Sequence, residues 1–187
     1  MGSPTRQFMA SVVATAMALV WCSCKIDHDR KADPARFTFS VREDADLFFR
    51  NVRQIYYDRE SPDGKWQAYR LNDRYEGHER PMITPVIVIQ WLKDEAYLLV
   101  ESNTVLENED ALTVVIASSS KSDTLRLRER GRERMLDFAS RIYEGIQQKS
   151  NMMVQVNNQF IPFLDQEEDR ESFRVVMGDF YRLTGVY

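Results

Sequence analysis

The sequence predicts an α+β domain in which two long amphipathic helices pack on an antiparallel sheet of about seven or eight strands. Short runs rich in Val, Ile and aromatic residues alternate with compact turn signals, such as residues 61–64 (SPDG) and 157–158 (NN). Such short connections join neighbouring strands as hairpins, which makes a sheet antiparallel. Residues 129–149 and 166–183 instead repeat apolar residues with the period of a helix. This combination is typical of the α+β class.

The domain is expected to begin with a short strand followed by a short helix. Residues 36–40 place Phe37 and Phe39 on one face of an extended segment. Residues 40–43 (SVRE) match a capping box, in which the first and last side chains bond to backbone N–H groups at a helix start. A helix is therefore predicted from this point to about Arg50.

Residues 52–59 fit two alternatives. Helical spacing would place four apolar residues on one face, namely Phe48, Val52, Ile55 and Tyr56. The aromatic and β-branched content favours a strand instead. The turn signal at residues 61–64 decides for the strand, because it would join residues 52–59 to residues 65–71 as a hairpin.

The strongest strand signals lie in the middle of the chain, at residues 84–90 and 95–100. The continuous apolar run of residues 86–89 (VIVI) indicates a strand that is buried on both faces, and so predicts the centre of the sheet. Residues 101–110 are expected to form an acidic loop. Two further hairpins are predicted, one from residues 112–117 and 123–128 and one from residues 152–156 and 159–164.

Two amphipathic helices complete the predicted domain. Acidic residues at the start of the second helix and Arg182 near its end match the helix dipole, and Gly185 is expected to end it. The apolar face of the first helix consists of Met135, Phe138, Ala139, Ile142, Tyr143 and Ile146. The apolar face of the second consists of Phe173, Val176, Met177, Phe180 and Tyr181.

The composition fits one ordinary globular domain. Of the 187 residues, 29% are charged and 43% are hydrophobic, and neither repeats nor low-complexity segments are present. The formal net charge of −4 becomes −5 if Arg6 is removed with the N-terminus. A mildly acidic chain is a poor partner for polyanionic nucleic acid, so no nucleic-acid function is expected.

The N-terminal residues 8–21 form an apolar run of 14 residues without charge, and Arg6 precedes it. A helix of this length rises about 21 Å, which is less than the hydrocarbon core of about 30 Å. The run is therefore too short to span a membrane and has the length and flanks of a signal peptide. It ends in WCSC at residues 21–24, and a polar stretch follows at once.

Residues 8–24 resemble the signal peptide of a bacterial lipoprotein. In that family, a cysteine that follows a short apolar run is acylated and the run before it is removed. Ser23 fits the position before Cys24, whereas Trp21 departs from the family pattern. For Cys22, Trp21 would occupy the adjacent position and is too large, so the resemblance favours lipidation of Cys24.

This resemblance implies a division of the chain into three parts. Residues 1–23 would be the signal peptide, residues 24–35 a flexible tether, and residues 36–187 a single globular α+β domain. The mature protein would then be bound to a membrane through its N-terminal lipid. Lys25 after the cysteine is, by the same resemblance, compatible with an outer-membrane lipoprotein.

Two alternatives stay open for the N-terminus. Residues 16–18 (AMA) offer an ordinary secretory cleavage site, which would release a soluble secreted or periplasmic protein. The apolar run also fits a buried helix of a cytosolic protein. The cysteines favour the lipoprotein interpretation, because both of them, Cys22 and Cys24, lie at the processing point.

The motifs for catalysis or metal binding are weak. The two histidines, His28 and His78, lie in polar segments without further His or Cys at ligand spacing, so no metal and no cofactor are expected. Ser118 and Lys121 have the SxxK spacing of penicillin-binding enzymes, but they lie in a predicted hairpin turn and the companion motifs are absent. The acidic residues 107–110 lack the pattern of a calcium loop and are expected to be solvated.

Five arginines alternate across the junction between the predicted strand 123–128 and the helix that follows. They are Arg126, Arg128, Arg130, Arg132 and Arg134. This cluster could face anionic lipid headgroups, glycans or an acidic protein partner. The plainer alternative is a solvated edge strand that leads into a solvated helix, with Glu129 and Glu133 balancing part of the charge.

These observations predict a lipid-anchored protein of the bacterial cell envelope with a non-enzymatic role in binding, assembly or structural support. Its partner would be an envelope protein or a glycan. The alternative is an envelope hydrolase that uses paired carboxylates, with glycans as candidate substrates, since the 29 acidic residues offer many pairs. A deep cleft with two facing acidic side chains would favour the hydrolase, and an exposed apolar or arginine-rich surface would favour binding.

Overall fold

The computed structural model describes residues 34–61, 64–118 and 122–186. In these parts of the chain, eight strands form two antiparallel sheets of four strands each, and three α-helices accompany them. The helices are α1 (Glu43–Phe48), α2 (Arg132–Gln147) and α3 (Glu167–Thr184). The predicted signal peptide and Cys24 lie outside the described residues.

The N-terminal sheet is a meander of four consecutive strands in the order β1-β2-β3-β4. Each strand pairs with its sequence neighbour. The first and second strands and the third and fourth strands are joined by short turns, as the turn signals predict, whereas residues 72–82 form a longer loop between the second and third. The strands are β1 (Tyr57–Glu60), β2 (Gln67–Leu71), β3 (Ile83–Gln90) and β4 (Glu95–Ser102).

The C-terminal sheet has the order β6-β5-β7-β8, so β5 pairs both with its hairpin partner and with a strand beyond α2. The turn between β7 and β8 is built from Asn157 and Asn158, whose φ angles of 50° and 63° are those of a tight hairpin turn. The strands are β5 (Leu112–Ala117), β6 (Ser122–Leu127), β7 (Asn151–Val156) and β8 (Gln159–Pro162).

The prediction of one continuous sheet is therefore wrong, although the α+β class is confirmed. Between β4 and β5 the chain turns through a short 3₁₀ segment, Thr104–Leu106, whose last residue is buried. Helix α2 then packs against both β4 and β6, and α3 packs against β3 and β4. The helices thus connect two sheets through side-chain packing, which turn signals along the chain do not specify.

Residues 52–56 are helical, which corrects the first part of the predicted strand at 52–59. Residues 57–59 do lie in β1 and pair with β2 in the predicted hairpin. Helix α1 continues through a π-helical turn, Phe49–Arg53, and a 3₁₀ turn, Gln54–Tyr56, before β1 begins. Two contacts on its buried side hold this helical segment in place. Phe49 lies 5.1 Å from the ring of Tyr69, and Arg53 reaches Asp179 in α3.

The predicted start of α1 also needs correction. Residues 36–40 do not form a strand of their own, and only Ser40 makes a single bridge, with Glu95 at the start of β4. The helix is preceded by Arg42, whose side chain makes no capping bond, so the capping box of Ser40 and Glu43 is absent. Because Ser40 pairs with β4, its backbone is extended and the helix starts later.

The two long helices lie where their periodicity places them. Helix α3 ends at Gly185, which adopts a left-handed conformation with φ of 66°, as expected from its glycine. The buried faces of α2 and α3 meet at Tyr143 and Tyr181, whose ring centroids are 5.5 Å apart. The hydroxyl of Tyr181 donates to Oγ of Ser140 at 2.8 Å, so this buried polar group is satisfied.

Strand β3 is buried on both faces, as the run of residues 86–89 predicts. Ile87 and Ile89 belong to the main core with the helices. Val86 and Val88 point to the other face of the sheet, where they pack with Ala68 and with partly buried aromatic side chains. Alternation along the strand thus gives two apolar layers.

Candidate functional site

A groove of about 600 Å³ lies between strand β6 and helix α2. We call it the arginine groove, because four of the nine residues that line it are arginines. One wall consists of the consecutive residues 125–128, at the end of β6. The other wall comes from the first part of α2, between Glu133 and Arg141.

The strand wall shows how the groove is oriented. Leu125 and Leu127 are buried, whereas Arg126 and Arg128 are exposed, as expected for side chains that point alternately to the two faces of a sheet. Residues from both faces can line one groove only if the groove runs along the edge of the strand. Strand β6 is at the end of the order β6-β5-β7-β8, so it has such an edge.

The helix wall follows from helical spacing. Arg134, Asp137, Phe138 and Arg141 are separated by three, four and seven positions, which places them on one face of α2. Phe138 is 4% exposed and packs toward the core at the floor of the groove. The charged residues of this face are exposed or only partly buried, so they form its rim.

The groove carries positive charge that nearby carboxylates only partly balance. Arg134 pairs with Glu129 and Arg141 pairs with Asp123, both at close range. Within the described parts of the chain, no carboxylate forms an ion pair with Arg126 or Arg128. As far as the described residues are concerned, these two guanidinium groups are thus available to bind an anion from outside.

The structure brings together three of the five predicted arginines. Arg126, Arg128 and Arg134 line the groove. Arg130 is exposed in the loop before α2 but does not line it. Arg132 points away from the groove: its guanidinium lies 4.6 Å from the centroid of the Phe39 ring and 3.6 Å from a carboxylate oxygen of Glu95.

Sequence reasoning missed Arg141 as a member of the groove. The five alternating arginines were identified at the junction of strand and helix. Arg141 lies two turns after Arg134, the last of them, along α2. Its spacing of seven residues from Arg134 places both on one face of the helix. The spacing of Arg134 and Arg141 along the predicted helix could therefore have identified Arg141. It was missed because the alternating cluster ends at Arg134.

The other candidate residues do not form a site in the described parts of the chain. His78 is exposed in a loop, and Nδ1 of its ring lies 2.9 Å from Oγ1 of Thr104. Ser118 directly follows β5, and residues 119–121 of the SxxK spacing lie outside the described ranges. In the acidic loop, Glu109 accepts a hydrogen bond from the backbone N–H of Asn157 at 2.6 Å.

Neither a metal-ligand cluster nor a membrane-spanning helix is present among the described residues. No three side chains of His, Cys, Asp or Glu are grouped there in a way that would hold a metal ion. No helix among those residues is both long enough and apolar enough to cross a membrane. Cys22, Cys24, His28 and Lys121 lie outside the described ranges.

A second cavity region lies between the helical continuation of α1 and helix α3. It consists of two hollows of about 610 and 330 Å³, and Arg53, Glu171 and Val175 line both of them. At its base, Arg53 binds the carboxylate of Asp179, and the hydroxyl of Tyr57 donates to the same carboxylate at 2.6 Å. This is the most deeply buried ion pair among the described side chains of the two hollows.

Burial raises the pKa of both Asp179 and Tyr57. Removal from water raises the pKa of Asp179, and the hydrogen bond from Tyr57 and the charge of Arg53 lower it in part. Burial and the neighbouring carboxylate also raise the pKa of Tyr57, so the phenol stays protonated. The sequence contained no signal for this cluster, since Tyr57 and Asp179 are 122 positions apart.

Acidic residues also line the larger hollow. Asp73 comes from the loop after β2, and Glu167, Glu168 and Glu171 come from the first turns of α3. Arg174 pairs with both Glu167 and Glu171 at 2.6 Å. Two of these four carboxylates are therefore already bound to a cation of the same helix.

Comparisons with protein families, with curated proteins and with solved structures found no match for this chain.

Proposed function

We propose that this chain is a lipid-anchored protein of the bacterial cell envelope that acts as a non-enzymatic binding protein, and that its arginine groove holds an anionic partner. The observation that carries the proposal is the pair Arg126 and Arg128. Both side chains are exposed at one groove, and neither has an ionic partner in the described parts of the chain.

The chemistry of the groove suits an acidic ligand. Guanidinium groups present a planar fork of donors that matches carboxylates, sulfates and phosphates in bidentate fashion. The apolar floor at Phe138 lowers the local dielectric, which strengthens such contacts. Glu133 and Asp137 at the rim would repel anions that approach in the wrong position, so they would contribute selectivity.

The anchor is proposed from the N-terminal residues. An uncharged run of 14 residues ends on Cys24 and is followed by a polar segment. Acyl chains on that cysteine would bind a membrane by burying methylene groups at about 0.8 kcal/mol each, and two or three chains hold stably. The proposed location is the outer membrane; the alternative is a soluble secreted or periplasmic protein.

An envelope hydrolase with paired carboxylates has less support. Two carboxyl groups, Asp169 and Asp179, have a pKa that burial raises, which is the shift that a catalytic acid needs. Each of them is held by an arginine, Arg80 and Arg53 respectively, and is only 7% or 5% exposed. These residues are thus suited to join parts of the fold rather than to meet a substrate.

The groove is tested with inorganic polyphosphate as the anionic probe. The unmodified chain should bind it, and affinity should fall steeply with salt, since exposed charges are screened over about 10 Å at 0.1 M ionic strength. Replacing Arg126 and Arg128 by Ser should remove most of this binding. The matched control replaces Arg36 and Arg59, two exposed arginines outside the groove, and should bind like the unmodified chain. Equal loss in both variants would contradict a specific groove.

The anchor is tested by palmitate labelling and by mass spectrometry of the mature N-terminus. Cys24→Ala should abolish labelling and leave the precursor uncleaved or the product soluble. Cys22→Ala is the matched control and should still be labelled. A mature chain that starts at Leu19, or unchanged membrane retention of Cys24→Ala, would refute the lipoprotein assignment.

A further inference from the structure

We infer that the partner of the arginine groove is an extended acidic peptide segment, which pairs with β6 as a fifth strand of the C-terminal sheet. This inference rests on the proposed function and deepens it, because it names the kind of partner and the way in which it is held. Addition of a strand to an open sheet edge is a recurring mode of peptide recognition.

The first argument is the open edge of β6. This strand pairs with β5 on one side over its whole length, from Ser122 opposite Ala117 to Leu127 opposite Leu112. On its other side, no strand among the described residues pairs with it. The outer row of backbone N–H and C=O groups is therefore available for a further strand.

The second argument is the shape of the groove. It runs along this edge, because residues 125–128 line it consecutively although their side chains point to opposite faces. Helix α2 forms the facing wall with residues one and two turns apart, such as Arg134 and Arg141. A slot with a strand edge on one side and a helix on the other fits an extended chain.

The third argument is the distribution of charge and apolar surface. On one face of the sheet, Arg126 and Arg128 would lie next to the side chains of every second residue of the added strand. On the other face, Leu125 and Leu127 lie next to Phe138 of α2. The fitting peptide therefore alternates acidic residues with apolar ones.

The same features argue for a peptide over other anionic partners. A bilayer surface is flat and would contact exposed arginines, but it would not enter a slot between strand and helix. A small free anion would use the guanidinium groups and leave the backbone edge unpaired. Both remain measurable outcomes of the test.

The test uses the full chain in a non-ionic detergent and a synthetic octapeptide that alternates glutamate and valine. Calorimetry should show binding that salt weakens and that Arg126→Ser with Arg128→Ser removes. Two modified peptides carry N-methyl groups on either the glutamate or the valine amides. In a paired strand, alternate amides face the same edge, so one modified peptide should lose affinity about tenfold or more and the other should change little.

Each other result overturns the inference in a distinguishable way. If both N-methylated peptides bind like the parent, the peptide is held by charge alone and no strand is added. If polyphosphate binds and the octapeptide does not, the anionic groove stands and the peptide partner is wrong. If glycerol 3-phosphate, a soluble analogue of a lipid headgroup, displaces polyphosphate and the octapeptide does not, the partner is a lipid surface. If none of the probes binds, both this inference and the binding function proposed above fail.

Discussion

Nε of Arg53 lies 2.9 Å from both carboxylate oxygens of Asp179 and thereby joins the helical segment after α1 to helix α3. The side chain of Asp179 is 6% exposed and that of Arg53 is 24% exposed, so the pair is largely removed from water. The pair holds the helical continuation at Arg53 against α3, and residues 52–56 are helical although their composition favours a strand.

Replacement of Arg53 by Met should destabilise the fold by about 3 kcal/mol at neutral pH, because it leaves the carboxylate of Asp179 buried without its cation. The measurement is the free energy of unfolding in urea. Arg50→Met is the matched control, since Arg50 pairs with Asp46 on an exposed surface and should cost about 0.5 kcal/mol. Similar losses in the two variants would show that the pair with Asp179 has no special role.

The loss of unfolding free energy in Arg53→Met should also depend on pH, and it should be smaller at lower pH. Burial already raises the pKa of Asp179 in the folded state, and removal of the cation raises this pKa further above the unfolded value of about 3.9. A raised folded-state pKa means that the folded state binds the proton more readily, so its contribution is fully favourable below the unfolded pKa. This contribution is lost as the pH rises through the folded pKa. The deficit relative to wild type should thus shrink as the pH falls from neutral toward the unfolded pKa of about 3.9; a constant deficit would contradict this.

Phe138 and Phe180 should each be essential to the core. They are 4% and 0% exposed and lie on the buried faces of α2 and α3. Substitution by Ala should lower the free energy of unfolding by about 3–5 kcal/mol, because each change removes a large apolar contact and leaves a cavity. Phe160→Ala serves as the control, since that ring is 45% exposed and its loss should cost far less. Denaturation midpoints of the two core variants close to wild type would contradict the assignment.

Gly185 should resist substitution because of its backbone conformation. Its φ of 66° lies in the left-handed region, and an added Cβ would come within 2.8 Å of Cδ of Arg42. Gly185→Ala should therefore cost about 1–2 kcal/mol. Gly131 precedes α2 with φ of −92° and has nothing within 4 Å of an added Cβ, so Gly131→Ala should cost less. Thermal unfolding of both variants checks the difference.

The two acids at the rim of the arginine groove should oppose anion binding. Glu133→Gln with Asp137→Asn removes two negative charges from the groove and should strengthen polyphosphate binding several-fold at low salt. The gain should fade as salt screens the charges. Glu79→Gln, at an exposed position that does not line the groove, should leave the affinity near that of the unmodified chain. An unchanged affinity of the double variant would argue against an electrostatic groove.

Features that depend on neighbours along the chain could be predicted from the sequence. The apolar spacing around Phe138 and Phe180 placed the two long helices, and the left-handed conformation of Gly185 follows from its residue type. Asn157 and Asn158 specified a hairpin turn in the same way. The cluster of arginines was also visible, since Arg126 and Arg128 stand out by their alternation.

Features that depend on distant parts of the chain were decided only by the tertiary structure. The helical state of residues 52–56 relies on Asp179, which is 126 positions away from Arg53. The division into two sheets relies on the pairing of β5 with β7 across α2. Local propensity differs between alternatives by about 1 kcal/mol or less, whereas a buried ion pair that loses one partner costs several. Where the two disagree, the distant contact therefore determines the fold.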